Sequence, residues 1–204
     1  MVATGVAIET FLIEGLPNTA QETMDQGKTR TLANYLAMRG EKNASRLAAA
    51  IASLYIFDRY DLERAVKNAG RPDSTVREQL DFFDQNEWIR DLVVPLRAIQ
   101  QAAYYPGIPM LAPLYVAFDL IDADDAKGFW EQVEKGVGLH EKHPILHLRK
   151  ALRSSYEDVR GERNTRYLAA LTIKAWNAFR AGQDTGRLQW RAGGANPETF
   201  PVPR

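Results

Sequence analysis

All three histidines of this 204-residue chain fall within one short stretch, His140-Glu141-Lys142-His143-Pro144-Ile145-Leu146-His147. His143 and His147 are four apart, a spacing that puts two imidazoles on one helix face, and His140 or Glu141 could complete a zinc site. The competing reading is structural. His143 stands before Pro144, where a side-chain acceptor commonly caps a helix, and the order His-Glu-x-x-His is missing. Chance clustering is the simpler account, so these are weak metal candidates, and no cofactor is expected.

A second group, Asp25-Gln26-Gly27-Lys28-Thr29-Arg30-Thr31, delivers two cations and two hydroxyls to the start of a helix, where unpaired backbone N–H groups attract anions. Gly27-Lys28-Thr29 is similar to the end of a phosphate-binding loop. That motif needs a glycine five residues earlier, and Glu22 stands there, so nucleotide hydrolysis is not read from it. A phosphate contact through Lys28, Thr29 and Arg30, or a solvated cap, remains. Asp119, Asp122, Asp124 and Asp125 have oxygen ligands suited to Mg²⁺, but capping and the helix dipole already account for the last three. There is no Ser–His–Asp order and no Gly-x-Ser-x-Gly elbow.

The basic C-terminal third is the broadest signal. Residues 146–204 carry 11 Lys+Arg against 5 Asp+Glu, whereas residues 73–145 carry 6 against 13. Arg149, Arg153, Tyr156 and Arg160 follow helical spacing, and Arg163, Arg166, Lys174 and Asn177 decorate the next helix. Such stripes neutralise phosphates, of DNA or RNA, in many proteins. Equally, they are solvated faces, or complements to the acidic middle, with Glu157, Asp158 and Glu162 near enough to pair.

Helices must position these groups. A chain with 45% apolar and 25% charged residues is globular, and at this length it buries roughly 70% of its unfolded surface. The pattern predicts a mainly α fold: a compact helical domain with one N-terminal strand and a short C-terminal strand. Val6 to Ile13 read as the first strand and Leu188-Gln189-Trp190 as the second. Helices are expected from a cap at Thr29 or Thr31 to Gly40, from Asn43 through Leu47 and Tyr55 towards Asp61, from Ser74 through Val76, Leu80 and Phe83, over Trp88–Ala103 with a break or kink at Pro95, and over Pro109–Ile121. Others follow Asp122, Pro144 and Gly161, and the caps assigned are Asn43, Ser74, Asp122 and His143. Asn68 to Asp73 reads as a subdomain boundary. The expected organisation is 1–70 (strand plus helices), 71–191 (helical domain packed on it) and 192–204 (extended tail).

The absence of cysteine removes disulfides and thiolate metal sites and points to a reducing compartment, so the expected location is cytoplasmic. The longest apolar run, Ile108 to Ile121, is broken by Pro109 and Pro113 and is too short to span a bilayer, and no basic-then-apolar leader is read at Met1. A lone strand cannot satisfy its own backbone. Leu188 to Trp190, a second copy of the chain in a homodimer, or further sequence would have to pair with it.

Phe11-Leu12-Ile13-Glu14-Gly15-Leu16, followed by Met24-Asp25-Gln26-Gly27-Lys28-Thr29-Arg30-Thr31, resembles ParB-like proteins of phages and prophages, in which such a pattern closes a small domain and leads into helices. Phe129-Trp130, Gly136-Val137-Gly138-Leu139, Pro144-Ile145, Leu148-Arg149, Lys174-Ala175-Trp176-Asn177 and Leu188-Gln189-Trp190 resemble that helical region. The likeness extends over residues 5–190. Those proteins also carry an upstream strand and an Asp-Gly-Gln-His-Arg-type motif that has no counterpart here. The resemblance therefore implies a DNA-associated phage context while leaving ParB-like nucleotidase or nuclease activity in doubt.

Three functional expectations follow. The first is a non-enzymatic phage or prophage accessory protein that binds nucleic acid through Lys28, Thr29, Arg30, Arg149, Arg153, Arg160, Arg163, Arg166 and Lys174. The second is an interaction module that blocks or modulates a host or defence protein. The third is a metal-dependent enzyme at His140, His143 and His147.

Overall fold

The computed structural model describes residues 30–67, 74–158 and 164–204, and the described residues hold nine helices and no strand. They are α1 (Leu32–Met38), α2 (Ala44–Arg59), α3 (Leu62–Lys67), α4 (Val76–Gln85), α5 (Ile89–Ala103), α6 (Ile108–Asp119), α7 (Ala123–Lys135), α8 (Pro144–Glu157) and α9 (Thr165–Arg180). The fold is mainly helical, as the periodicity predicts. The expected N-terminal strand lies outside the described residues.

Local chemistry sets most helix ends. Asp122 caps α7 by accepting the Asp125 N–H at 3.0 Å, and Asn164 caps α9 by accepting the Tyr167 N–H at 2.9 Å. Thr75 and Glu78 form a reciprocal capping box on α4, one residue after the expected Ser74. The Ser74 hydroxyl instead accepts from the buried Gln79 amide at 3.0 Å. Asn43 precedes α2 as expected, but it is left-handed (φ 58°) and its side chain caps nothing.

Two other expectations, a break at Pro95 and a strand at Leu188-Gln189-Trp190, are corrected. The helix α5 runs through Pro95 without a break. Proline removes the bond to the carbonyl four residues back, here that of Asp91, which is an exposed residue. Leu188-Gln189-Trp190 forms no strand. Trp190 is nevertheless buried, and its indole N–H donates to the Thr199 carbonyl at 3.0 Å, a side-chain contact in place of a ladder.

From Leu32 to Arg204 the described residues form one compact unit. Its centre is α6, apolar all round and packed against α2, α3, α5, α7 and α9. The alanines of α2 let that helix approach closely. Residues 68–73, the expected boundary, are not described, and the helices on both sides of them share one core. Phe118 stacks on Trp176 (4.5 Å, 9°) and on Trp130 (5.4 Å, 16°), with Phe129 edge-on to all three. Among the described residues, no helix is long and apolar enough to cross a membrane.

Candidate anion-binding cleft

The C-terminal half of α8 and the first turns of α9 face each other across a cleft of about 470 Å³, closed on one side by Arg187 and Leu188. Lys150, Ser154 and Asp158 lie at successive four-residue steps along α8, so helical geometry brings all three to the cleft. Ser155 and His147 line the same wall, and Asn164 and Tyr167 come from the start of α9. Two cations thus oppose one carboxylate, with three hydroxyls between them. The α9 N-terminus adds the partial positive charge of its first-turn N–H groups. Lys150 has no hydrogen-bond or ion-pair partner among the described residues. Donors and positive charge around an open cleft of mixed polar and apolar lining suit an anion such as a phosphate.

The sequence-predicted cations have other fates. Arg149, one residue from Lys150, is turned by about 100° around α8. Its Nη1 donates to the carbonyls of Val133 and Glu134 (3.1 Å to the latter), and its Nη2 to that of Ala102 at 3.3 Å. It therefore satisfies unpaired carbonyls at the ends of α7 and α5. Gly136 makes room for it: a β-carbon there would lie 2.8 Å from the Arg149 guanidinium, and the φ of +65° independently favours glycine.

Arg153 pairs with Glu157 at 2.8 Å on the surface of α8. Arg166 pairs with Glu63, its Nε at 2.8 Å, and its guanidinium lies over the Trp190 ring, 4.8 Å from the centroid. Lys174 pairs with Glu198 and donates to the Gln189 carbonyl at 2.5 Å. Arg30 is half-buried at the edge of the described residues, while Lys28, Thr29, Arg160 and Arg163 lie outside them. Four of the nine predicted residues are thus held by acceptors within the molecule.

The histidines diverge. The His143 Nδ1 accepts the Ile145 N–H at 3.3 Å and caps α8, as the His-Pro order predicts. Burial pushes the His143 pKa below its ordinary value, and His140 nearby pushes it the same way against the opposing pull of Asp184. His140 lies 3.3 Å from Asp184, beside a smaller hollow of about 190 Å³. His147 faces the α8–α9 cleft instead, and its Nε2 is buried without a partner among the described residues. No group of three or more histidine or carboxylate side chains is placed to hold a metal ion among those residues. Asp122 and Asp125 are engaged by Arg180, at 3.5 and 2.8 Å.

Lys150, Ser154, Ser155, Tyr167 and Arg187 were not singled out by the sequence. The legible signal was the Lys150–Ser154–Asp158 stripe, one position out of register from the arginine stripe. No protein-family model, curated protein or solved structure matches this chain.

Proposed function

We propose that this protein binds nucleic acid, without catalysis, through the α8–α9 cleft. The observation that carries the reading is the uncommitted Lys150 in a cleft with Arg187, Ser154, Ser155 and Tyr167, while Arg149, Arg166 and Lys174 on neighbouring faces are engaged inside the molecule. A backbone phosphate seated there would take the Lys150 ammonium and the hydroxyls as donors, and Tyr167 offers a ring against which an adjacent base can stack. The resemblance to phage ParB-like proteins supports a DNA-associated setting and is part of the same proposal.

The test is fluorescence anisotropy of labelled single- and double-stranded DNA and RNA across a salt series. Affinity should fall as salt rises, with a slope of about −0.9 per duplex phosphate contacted. Lys150→Glu should weaken binding by about tenfold, roughly the effect of one reversed phosphate contact. No binding at low salt, or binding indifferent to Lys150→Glu, would sink the proposal.

A further inference from the structure

The chain's last seven residues are held against α9 as a bound peptide is held. Four hydrogen bonds grip the backbone: the Glu198 N–H donates to the Arg191 carbonyl at 2.7 Å, and the Trp190 indole N–H donates to the Thr199 carbonyl at 3.0 Å. The Asn177 amide makes the other two, its Nδ2 donating to the Val202 carbonyl and its Oδ1 accepting the Arg204 N–H, each at 2.9 Å. One side-chain amide reading an acceptor and a donor two residues apart requires an extended segment and ignores that segment's side chains.

Two side chains then supply selectivity. Glu198 meets Lys174 and lies 3.9 Å from Arg191. Phe200 meets the Trp190 ring edge-on at 5.7 Å and lies 6.0 Å from the Arg166 guanidinium, itself anchored by Glu63. Glu198 and Phe200 are half-buried while Thr199 between them is exposed, the alternation of an extended chain. Pro201 and Pro203 fix φ and remove donors at positions where the contact uses none.

We propose that this face of α9, completed by Trp190 and Arg191, is a recognition site for an extended segment of a partner protein, with an acidic residue two positions before an aromatic one and prolines after it. The chain's own tail occupies the site as a tethered competitor. The cations of Lys174 and Arg191 favour the acidic residue, and the Trp190 edge favours the aromatic one. A tether raises the tail's effective concentration to about the millimolar range, so a partner segment gains access when the tail is weakened or displaced.

The test uses the full chain and a labelled nine-residue peptide, residues 196–204. Phe200→Ala in the protein loosens the tail, and peptide affinity by anisotropy should rise at least about tenfold over the unaltered chain, the fold-change expected for removing a buried ring from the competitor. Adding Asn177→Ala should reverse most of that gain, and a peptide with its acidic residue and phenylalanine exchanged should bind at least about fivefold more weakly. Glu198→Ala is a milder way to release the tail should Phe200→Ala fail to fold. Two results would overturn the proposal. Undetectable peptide binding to both released variants would make the tail a structural element only. Concentration-dependent dimers of the unaltered chain that vanish with Phe200→Ala would make a second copy the occupant.

Discussion

Lys150 and Lys174 sit on consecutive helices of the same basic third, and their surroundings differ in kind. Lys174 lies between the Glu198 carboxylate and the Gln189 carbonyl, while Lys150 faces a cleft with serine hydroxyls and the Asp158 carboxylate and pairs with none of them. The same contrast holds for the adjacent Arg149, whose donors close two helix ends. A count of charges along the sequence gives all three equal standing. What separates them is whether an acceptor within the molecule has already taken the donors, and this decides which cations are available to a ligand.

The largest effect that would sharpen this comparison is on stability. Arg149→Ala should destabilise the protein by about 2–3 kcal/mol in denaturant unfolding, because carbonyls of Val133, Glu134 and Ala102 lose their donor in a partly buried setting. Nucleic-acid affinity of the still-folded variant should be unchanged. A large loss of affinity with little loss of stability would place Arg149 among the ligand-facing cations and break the contrast.

Gly136→Ala tests the same arrangement from the other side. The added methyl would stand 2.8 Å from the Arg149 guanidinium, on a backbone with φ of +65°. A loss of about 1–2 kcal/mol is expected from the left-handed conformation alone. In the Arg149→Ala background the steric part should vanish and the cost should drop towards that conformational value. Equal costs in both backgrounds would mean that the glycine serves the turn only.

The helices themselves were largely legible. Asp122 and the His143-Pro144 pair announce helix starts through local chemistry, and each does so in the folded chain. Pro95 does not break α5 because a proline's lost hydrogen bond matters less at an exposed residue such as Asp91, and exposure is not a local property. The cleft was missed for a similar reason. Arg149 and Arg153 on one side, and Lys150 and Ser154 on the other, are about 100° apart on α8. Nothing in α8 alone says which of them meets the ends of α5 and α7 and which borders α9. The tail was read only as extended, since the docking of Glu198 and Phe200 depends on Lys174, Asn177 and Trp190, which precede them by many residues.

A smaller effect concerns pH. The folded-state pKa of His143 is depressed, so the unfolded chain binds its proton more readily near the ordinary value of 6.5. The neutral cap therefore contributes fully above that pH, and its contribution is lost as pH falls through 6.5 and below. Replacing His143 with Asn, which caps without titrating, should flatten that part of the stability profile. An unchanged profile would assign the dependence to another group. Smallest of all, Lys174→Ala should change stability by no more than about 1 kcal/mol, since both members of its ion pair are about one-third exposed.

The most direct test is a paired comparison of Lys150→Gln and Lys174→Gln in nucleic-acid binding across a salt series. Loss of one cation that contacts a duplex phosphate lowers the magnitude of the log–log salt slope by about 0.9. The account predicts that drop for Lys150→Gln and an unchanged slope for Lys174→Gln. Equal slopes for the two variants, or a drop confined to Lys174→Gln, would contradict it.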